Sequence, residues 1–116
     1  MQNDLVRQSL AELIGTFVLV FVGSAAVIVA PLFGVVVPAL AHGLILVGLI
    51  FTYGHISGAQ FNPAVTLALL VGGKQDVTKS AIFMVVQFIG GIIAAVVLVA
   101  VVSPSDPAVV ASLGAA

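Results

Sequence analysis

The sequence predicts an all-α membrane protein built from three transmembrane helices and one re-entrant half-helix. Three observations carry that prediction. Of the 116 residues, 62% are hydrophobic and 6% charged, with a mean hydropathy of +1.38. No Asp, Glu, Lys or Arg occurs from Leu13 to Gly73. Within that stretch, a polar segment, Ser57-Gly58-Ala59-Gln60-Phe61-Asn62, interrupts the apolar chain and is followed by a short apolar run, Pro63 to Val71. So little polar surface cannot clothe a soluble domain. A hydrocarbon core about 30 Å thick takes roughly 20 residues per helix, which bounds the chain at three or four crossings and one membrane domain. With no cysteine there is neither a disulfide framework nor a thiolate metal site. The net charge of −1 offers no footprint for nucleic acid. No enzymatic activity, catalytic residue, metal or cofactor is expected.

The first span is expected over about residues 5–30, with Glu12 near its start and Pro31 and Gly34 as its breakers. The second is expected over 38–53, opening on Pro38 as a first-turn proline and stopping ahead of Gly54. The fourth element is expected over 77–102, after Asp76 as N-cap, with Ser103-Pro104-Ser105-Asp106-Pro107 ending it and residues 103–116 forming a tail. Small residues at helical spacing, Ala11/Gly15 and Gly91/Ala95, suit close helix crossing.

The third element is the informative misfit. Asn62 can cap a helix whose first residue is Pro63, where the missing N–H leaves no donor unmade. The helix over 63–71 spans only about 14 Å at 1.5 Å per residue, half of a bilayer core. Non-helical backbone from His55 to Phe61 is too costly in lipid unless protein or a water-filled cavity satisfies it. A re-entrant loop meets that demand: an extended arm descends to the midplane and the half-helix returns to the same side, its positive end at depth. The alternative is a fourth, tightly packed span kinked at Pro63.

Arg7, Lys74 and Lys79 are the only basic residues, and three spans plus a re-entrant loop place all three on one face. The positive-inside rule makes that face cytoplasmic, with the N-terminus and the loop, and leaves the tail outside. A rival is an N-terminal signal peptide with Gly23-Ser24-Ala25-Ala26 as its cleavage zone; Glu12 and the long apolar stretch oppose it.

These residues resemble a family, the aquaporins or major intrinsic proteins, in its N-terminal half. Gly54-His55-Ile56-Ser57-Gly58-Ala59-Gln60-Phe61-Asn62-Pro63-Ala64-Val65-Thr66 is similar to the family's cytoplasmic pore loop. Ala11-Glu12-Leu13-Ile14-Gly15-Thr16-Phe17 resembles its first helix, and Gln87-Phe88-Ile89-Gly90-Gly91 its third. The resemblance implies half of an inverted-repeat fold in which two Asn-Pro-Ala turns meet at the midplane. Here there is one such turn, and Val65 follows it where the second repeat would place an arginine. It therefore implies a passive channel for water and small neutral solutes, or half of one, completed by a second half-repeat or a second copy of the chain. A tetramer of independent pores is the family's usual assembly.

In such a path the carbonyls of Gly58, Ala59, Gln60 and Phe61 supply acceptors in a row. Asn62 supplies a donor while its carboxamide oxygen caps the half-helix, and the helix dipole disfavours cations. By the same resemblance His42, 20 positions before Asn62, stands at the selectivity filter, and Leu19 and Leu46 are apolar pore walls. His42 could equally be a buried histidine bonded to backbone. His55 is expected to brace the loop mouth. Gln60 stands where the family usually carries histidine.

Glu12 has two competing roles. In the channel it accepts hydrogen bonds from the loop's amides; in a small proton-coupled antiporter it would be the coupling carboxylate. The antiporter needs a fourth full span and aromatic residues, and the chain has no Trp and one Tyr. A further alternative is a non-conducting half that modulates channel assembly.

Overall fold

The computed structural model describes residues 2–102, and all of its regular structure is helical: α1 (Gln2–Phe33), α2 (Val36–Ser57), α3 (Pro63–Val71) and α4 (Val77–Val102). The segment 103–116, where the tail and the terminating prolines were placed, lies outside the described residues. α1, α2 and α4 are long and apolar enough to cross a membrane. α3, with nine residues, covers about 14 Å.

Two helices are longer than their sequence signals. α1 continues through Pro31 to Phe33, because a proline so near the C-terminus removes one hydrogen bond of the last turn. The stop comes at Gly34, whose φ of 89° turns the chain left-handed. α2 begins at Val36, so Pro38 is its third residue, still in the turn whose amides have no intrahelical partner. It also passes Gly54 and ends at Ser57, capped by Gly58 at φ 90° with its N–H on Gly54 O at 3.0 Å. A glycine inside a helix costs only about 1 kcal/mol. The non-helical arm expected over His55–Phe61 therefore shrinks to residues 58–62.

α1 is the central helix, with α2 and α4 packed on it and α3 packed on α4. Leu5, Val6, Ser9 and Leu10 of α1 share a cavity with Ile82 and Val86 of α4, so the two helices begin at the same end. His55 and Ile56, at the end of α2, line a cleft with Asp4, Arg7 and Gln8 of α1. α2 thus runs antiparallel to α1, and the chain from Gly58 to Asp76 leaves and returns to one end of the bundle. α3 is not a kinked continuation of α2.

The packing of α4 follows one helical face: Ser80, Phe83, Gln87, Gly90, Ala94 and Leu98 are buried, and its other faces carry exposed aliphatic side chains suited to lipid. At Gly90 a Cβ would stand 2.6 Å from Leu13 O, so the absence of a side chain sets how closely α4 approaches α1. The crossing pair is Gly90/Ala94, not the expected Gly91/Ala95, which lie one residue round the helix; Ala95 is exposed. Gly15 likewise makes room for the ring of Phe61.

Candidate functional site

Glu12, fully buried, organises the loop. Its Oε2 accepts from Ser57 Oγ (3.0 Å) and Gln60 N (3.2 Å). Its Oε1 accepts from Phe61 N (3.0 Å) and Gln87 Nε2 (3.0 Å). All four partners donate, a set that an acceptor-only carboxylate uses fully. Two consecutive backbone amides converging on one carboxylate form a nest filled by the protein's own anion. The geometry is strained: Ala59 and Phe61 both sit at φ 53°, where an L-residue costs about 1–3 kcal/mol. The bonds to Glu12 offset that cost at Phe61. So does its ring, buried against Gly15 and edge-on to Tyr53 at 6.2 Å between centroids.

From Glu12 a chain of side-chain hydrogen bonds runs back to the end of the bundle. Gln87 Nε2 donates to Thr66 Oγ1 (2.9 Å), and Thr66 donates to Gln60 Oε1 (2.6 Å). Gln60 Nε2 donates to Gln75 Oε1 (2.7 Å), and Gln75 Nε2 to Ser80 Oγ (3.0 Å). The orientation of Gln87 follows from Glu12, because the carboxylate only accepts and Gln87 must present its NH₂; beyond it Thr66 accepts from Gln87 and donates to Gln60. The same requirement turns Gln87 Oε1 away from Glu12. That oxygen and Thr16 Oγ1 are buried without a protein partner among the described residues.

Asn62 starts α3 with extended backbone (φ −153°, ψ 122°) and its side chain accepts from Ala64 N at 2.8 Å. Its main-chain carbonyl takes the first helical bond, from Thr66 N at 3.1 Å. The Asn62 carboxamide NH₂ donates to no group among the described residues, and the residue is exposed. On the loop before it, no hydrogen bond among the described residues ends on the carbonyl oxygen of Gly58, Ala59, Gln60 or Phe61. The amides of Gln60 and Phe61 face Glu12 and that of Ala59 faces Ser57, while the four carbonyls are left without partners among the described residues. Above the start of α3 lies an open, mainly apolar groove of about 460 Å³ between α1 and α4. Thr16, Leu19, Phe61, Asn62, Pro63 and Gln87 are among its walls. Asn62 therefore stands level with the middle of α1 and α4.

The structure brings Leu19, Phe61, Asn62 and Pro63 together; Ala64, exposed, follows as the second residue of α3. It does not bring His42 or Leu46 to them. His42 is exposed on α2 and not buried, with Nδ1 donating to Pro38 O at 2.6 Å and its ring against Gly23. Leu46 is exposed one turn further on. His55 is exposed in the cleft beside Asp4 and Arg7, and the hydrogen bonds that brace the loop come from Glu12 and Ser57. The Gln60 side chain is spent on Thr66 and Gln75, which leaves its carbonyl, and not its amide group, to serve a path. Sequence reasoning passed over Thr16, Thr66 and Gln75. Thr66, one turn into α3, was legible only as a polar residue in an apolar run, and Gln75 carried no local signal.

Comparison with known proteins places this geometry. The model of the major intrinsic protein family matches residues 1–115. The chain is 44% identical over 104 residues to Aquaporin Z of Photorhabdus laumondii, an alignment covering 85% of this chain and 45% of that protein. It is 40% identical over 98 residues to the glycerol uptake facilitator protein-like 6 of Lactiplantibacillus plantarum, covering 84% and 45%. It is 42% identical over 102 residues to Aquaporin-8 of Mus musculus, covering 87% and 39%. The chain thus spans less than half the length of these relatives. With its three apolar spans and a half-helix begun at mid-depth, it is an integral membrane protein and belongs to the major intrinsic protein family.

Proposed function

We propose that the chain forms one half of a passive channel for water and small neutral solutes. The observation that carries this is the sidedness of the loop: the amides of Gln60 and Phe61 are held by Glu12 and that of Ala59 by Ser57, while four successive carbonyls have no donor among the described residues. In a membrane such carbonyls need water. A file of water crossing there meets acceptors from Gly58 to Phe61 and then the free NH₂ of Asn62, while the positive end of α3 disfavours cations.

The groove above Asn62 is the place for the completing half, from a second repeat or a second copy. Its apolar walls and its two unpaired buried oxygens suit an entering segment that brings both apolar surface and hydrogen-bond donors. Arg7 and Lys79 begin α1 and α4, and Lys74 lies in the turn before α4, so the basic residues gather at one end, which we assign to the cytoplasm. The antiporter role for Glu12 finds no support: its oxygens are occupied by four internal donors and shielded from solvent.

Osmotic shrinkage of vesicles, followed by stopped-flow light scattering, tests the proposal. The chain is compared alone and joined to the portion of the Photorhabdus relative that it does not cover. Flux above empty vesicles in the joined protein supports a half-channel. A joined protein that folds and assembles without flux would instead favour a half that only modulates assembly.

A further inference from the structure

We propose that Gln75 is a positioning residue for the loop: acting through Gln60, it clamps the stretch 58–61 from the turn between α3 and α4. Gln75 sits in a turn already fixed by Gly73 N on Leu70 O (3.1 Å) and Lys74 N on Leu69 O (2.8 Å). Its NH₂ is anchored on Ser80, fully buried in the first turn of α4. Its carbonyl oxygen is the only partner among the described residues for the NH₂ of Gln60. Gln60 is itself buried, so without Gln75 a buried donor is orphaned inside the loop's support. The loop is therefore tied at two points, to Glu12 through its backbone and to α4 through this amide pair.

The clamp has a direction as well as a length. Donation runs from Gln87 through Thr66, Gln60 and Gln75 to Ser80, and turning over the Gln60 amide alone would set its oxygen against Gln75 Oε1 and leave the Thr66 O–H without its acceptor. Holding Gln60 in one rotamer holds the peptide units on either side of it, and with them the carbonyls of Ala59 and Gln60. The link therefore lets the turn outside the membrane core set the shape of the narrow path. The consequence for flux rests on the channel proposal; the clamp does not.

Two variants test it, with amide hydrogen exchange measured in lipid nanodiscs at pH 8 and water flux measured in the joined channel. Gln75→Leu keeps volume and removes both bonds. Gln75→Glu is ionised at that pH, still accepts from Gln60, and takes the Ser80 hydroxyl as a donor. Gln75→Leu is expected to speed exchange at Gln60 and Phe61 about fivefold, the worth of one neutral hydrogen bond, with mid-span amides of α1 and α4 unchanged. Gln75→Glu is expected to restore protection. Unchanged exchange in Gln75→Leu overturns the clamp, as does a loss that Gln75→Glu fails to restore. If exchange follows the expected pattern but the unaltered joined chain carries no water, the clamp stands and the channel proposal fails. If the joined chain conducts, Gln75→Leu is expected to lower its flux and Gln75→Glu to recover it.

Discussion

The two sides of α3's N-terminus solve the problem of buried polarity in opposite ways. Below it, between the loop and the turn 72–76, Glu12, Ser57, Gln60, Thr66 and Ser80 are all buried and all hydrogen-bonded, to one another, to Gln75 or to backbone. Above it, in the groove, Thr16 and the carbonyl oxygen of Gln87 are equally buried and bonded to nothing among the described residues. Gln87 belongs to both sides, with its nitrogen in the satisfied network and its oxygen facing out of it. A polar network that closes on itself fixes a structure, whereas one that ends on unpaired acceptors marks a surface meant to meet something. The contrast locates two unpaired oxygens in the groove beside a closed network; Ser9 Oγ, in the cavity between the starts of α1 and α4, is also without a partner among the described residues.

The contrast can be broken from its closed side first. Glu12→Gln puts an NH₂ against two of the four donors, and unfolding in detergent micelles followed by circular dichroism is expected to show a loss of at least about 3 kcal/mol. Retention of loop amide protection in that variant would remove Glu12 from the centre of the fold. Gly90→Val places a side chain against Leu13 O and is expected to cost about 2 kcal/mol by the same assay, as overpacking at a backbone contact. Asn62→Ala removes the cap of α3, and about 1 kcal/mol should be lost. The smallest effect belongs to the open side. Thr16→Val replaces an unpaired hydroxyl and is expected to change the chain alone by no more than about 0.5 kcal/mol, but to cost more in the joined channel if the completing half donates there. Equal effects in the two contexts would argue that nothing bonds to Thr16.

How far the sequence revealed this contrast depended on the range of each interaction. The charge-free stretch, the nine-residue run and the Asn62-Pro63 start are local, and they yielded the spans, the half-helix and its cap. The end of α2 was misjudged because Gly54 resembles a stop, while the true stop needs a left-handed residue, which Gly58 supplies. Gly90 and Gly91 are adjacent, and only the rotation of α4 against α1 tells them apart. The Thr66–Gln87 and Gln60–Gln75 bonds join residues 21 and 15 positions apart, a distance at which the chain carries no periodic signal. The filter role for His42 and Leu46 came from resemblance alone. In this half neither is among the walls of the groove with Asn62, and the His42 ring lies against Gly23 of α1.

The central claim is that water passes Asn62 at the end of a row of unpaired carbonyls. Asn62→Asp tests it most directly, because aspartate caps a helix as well as asparagine does and leaves α3 in place. The substitution removes the NH₂ donor and sets a negative charge at mid-depth. Stopped-flow shrinkage of vesicles carrying the joined channel should then fall close to that of empty vesicles, with helix content and thermal stability unchanged. Water flux equal to that of the unaltered protein would contradict a path at Asn62.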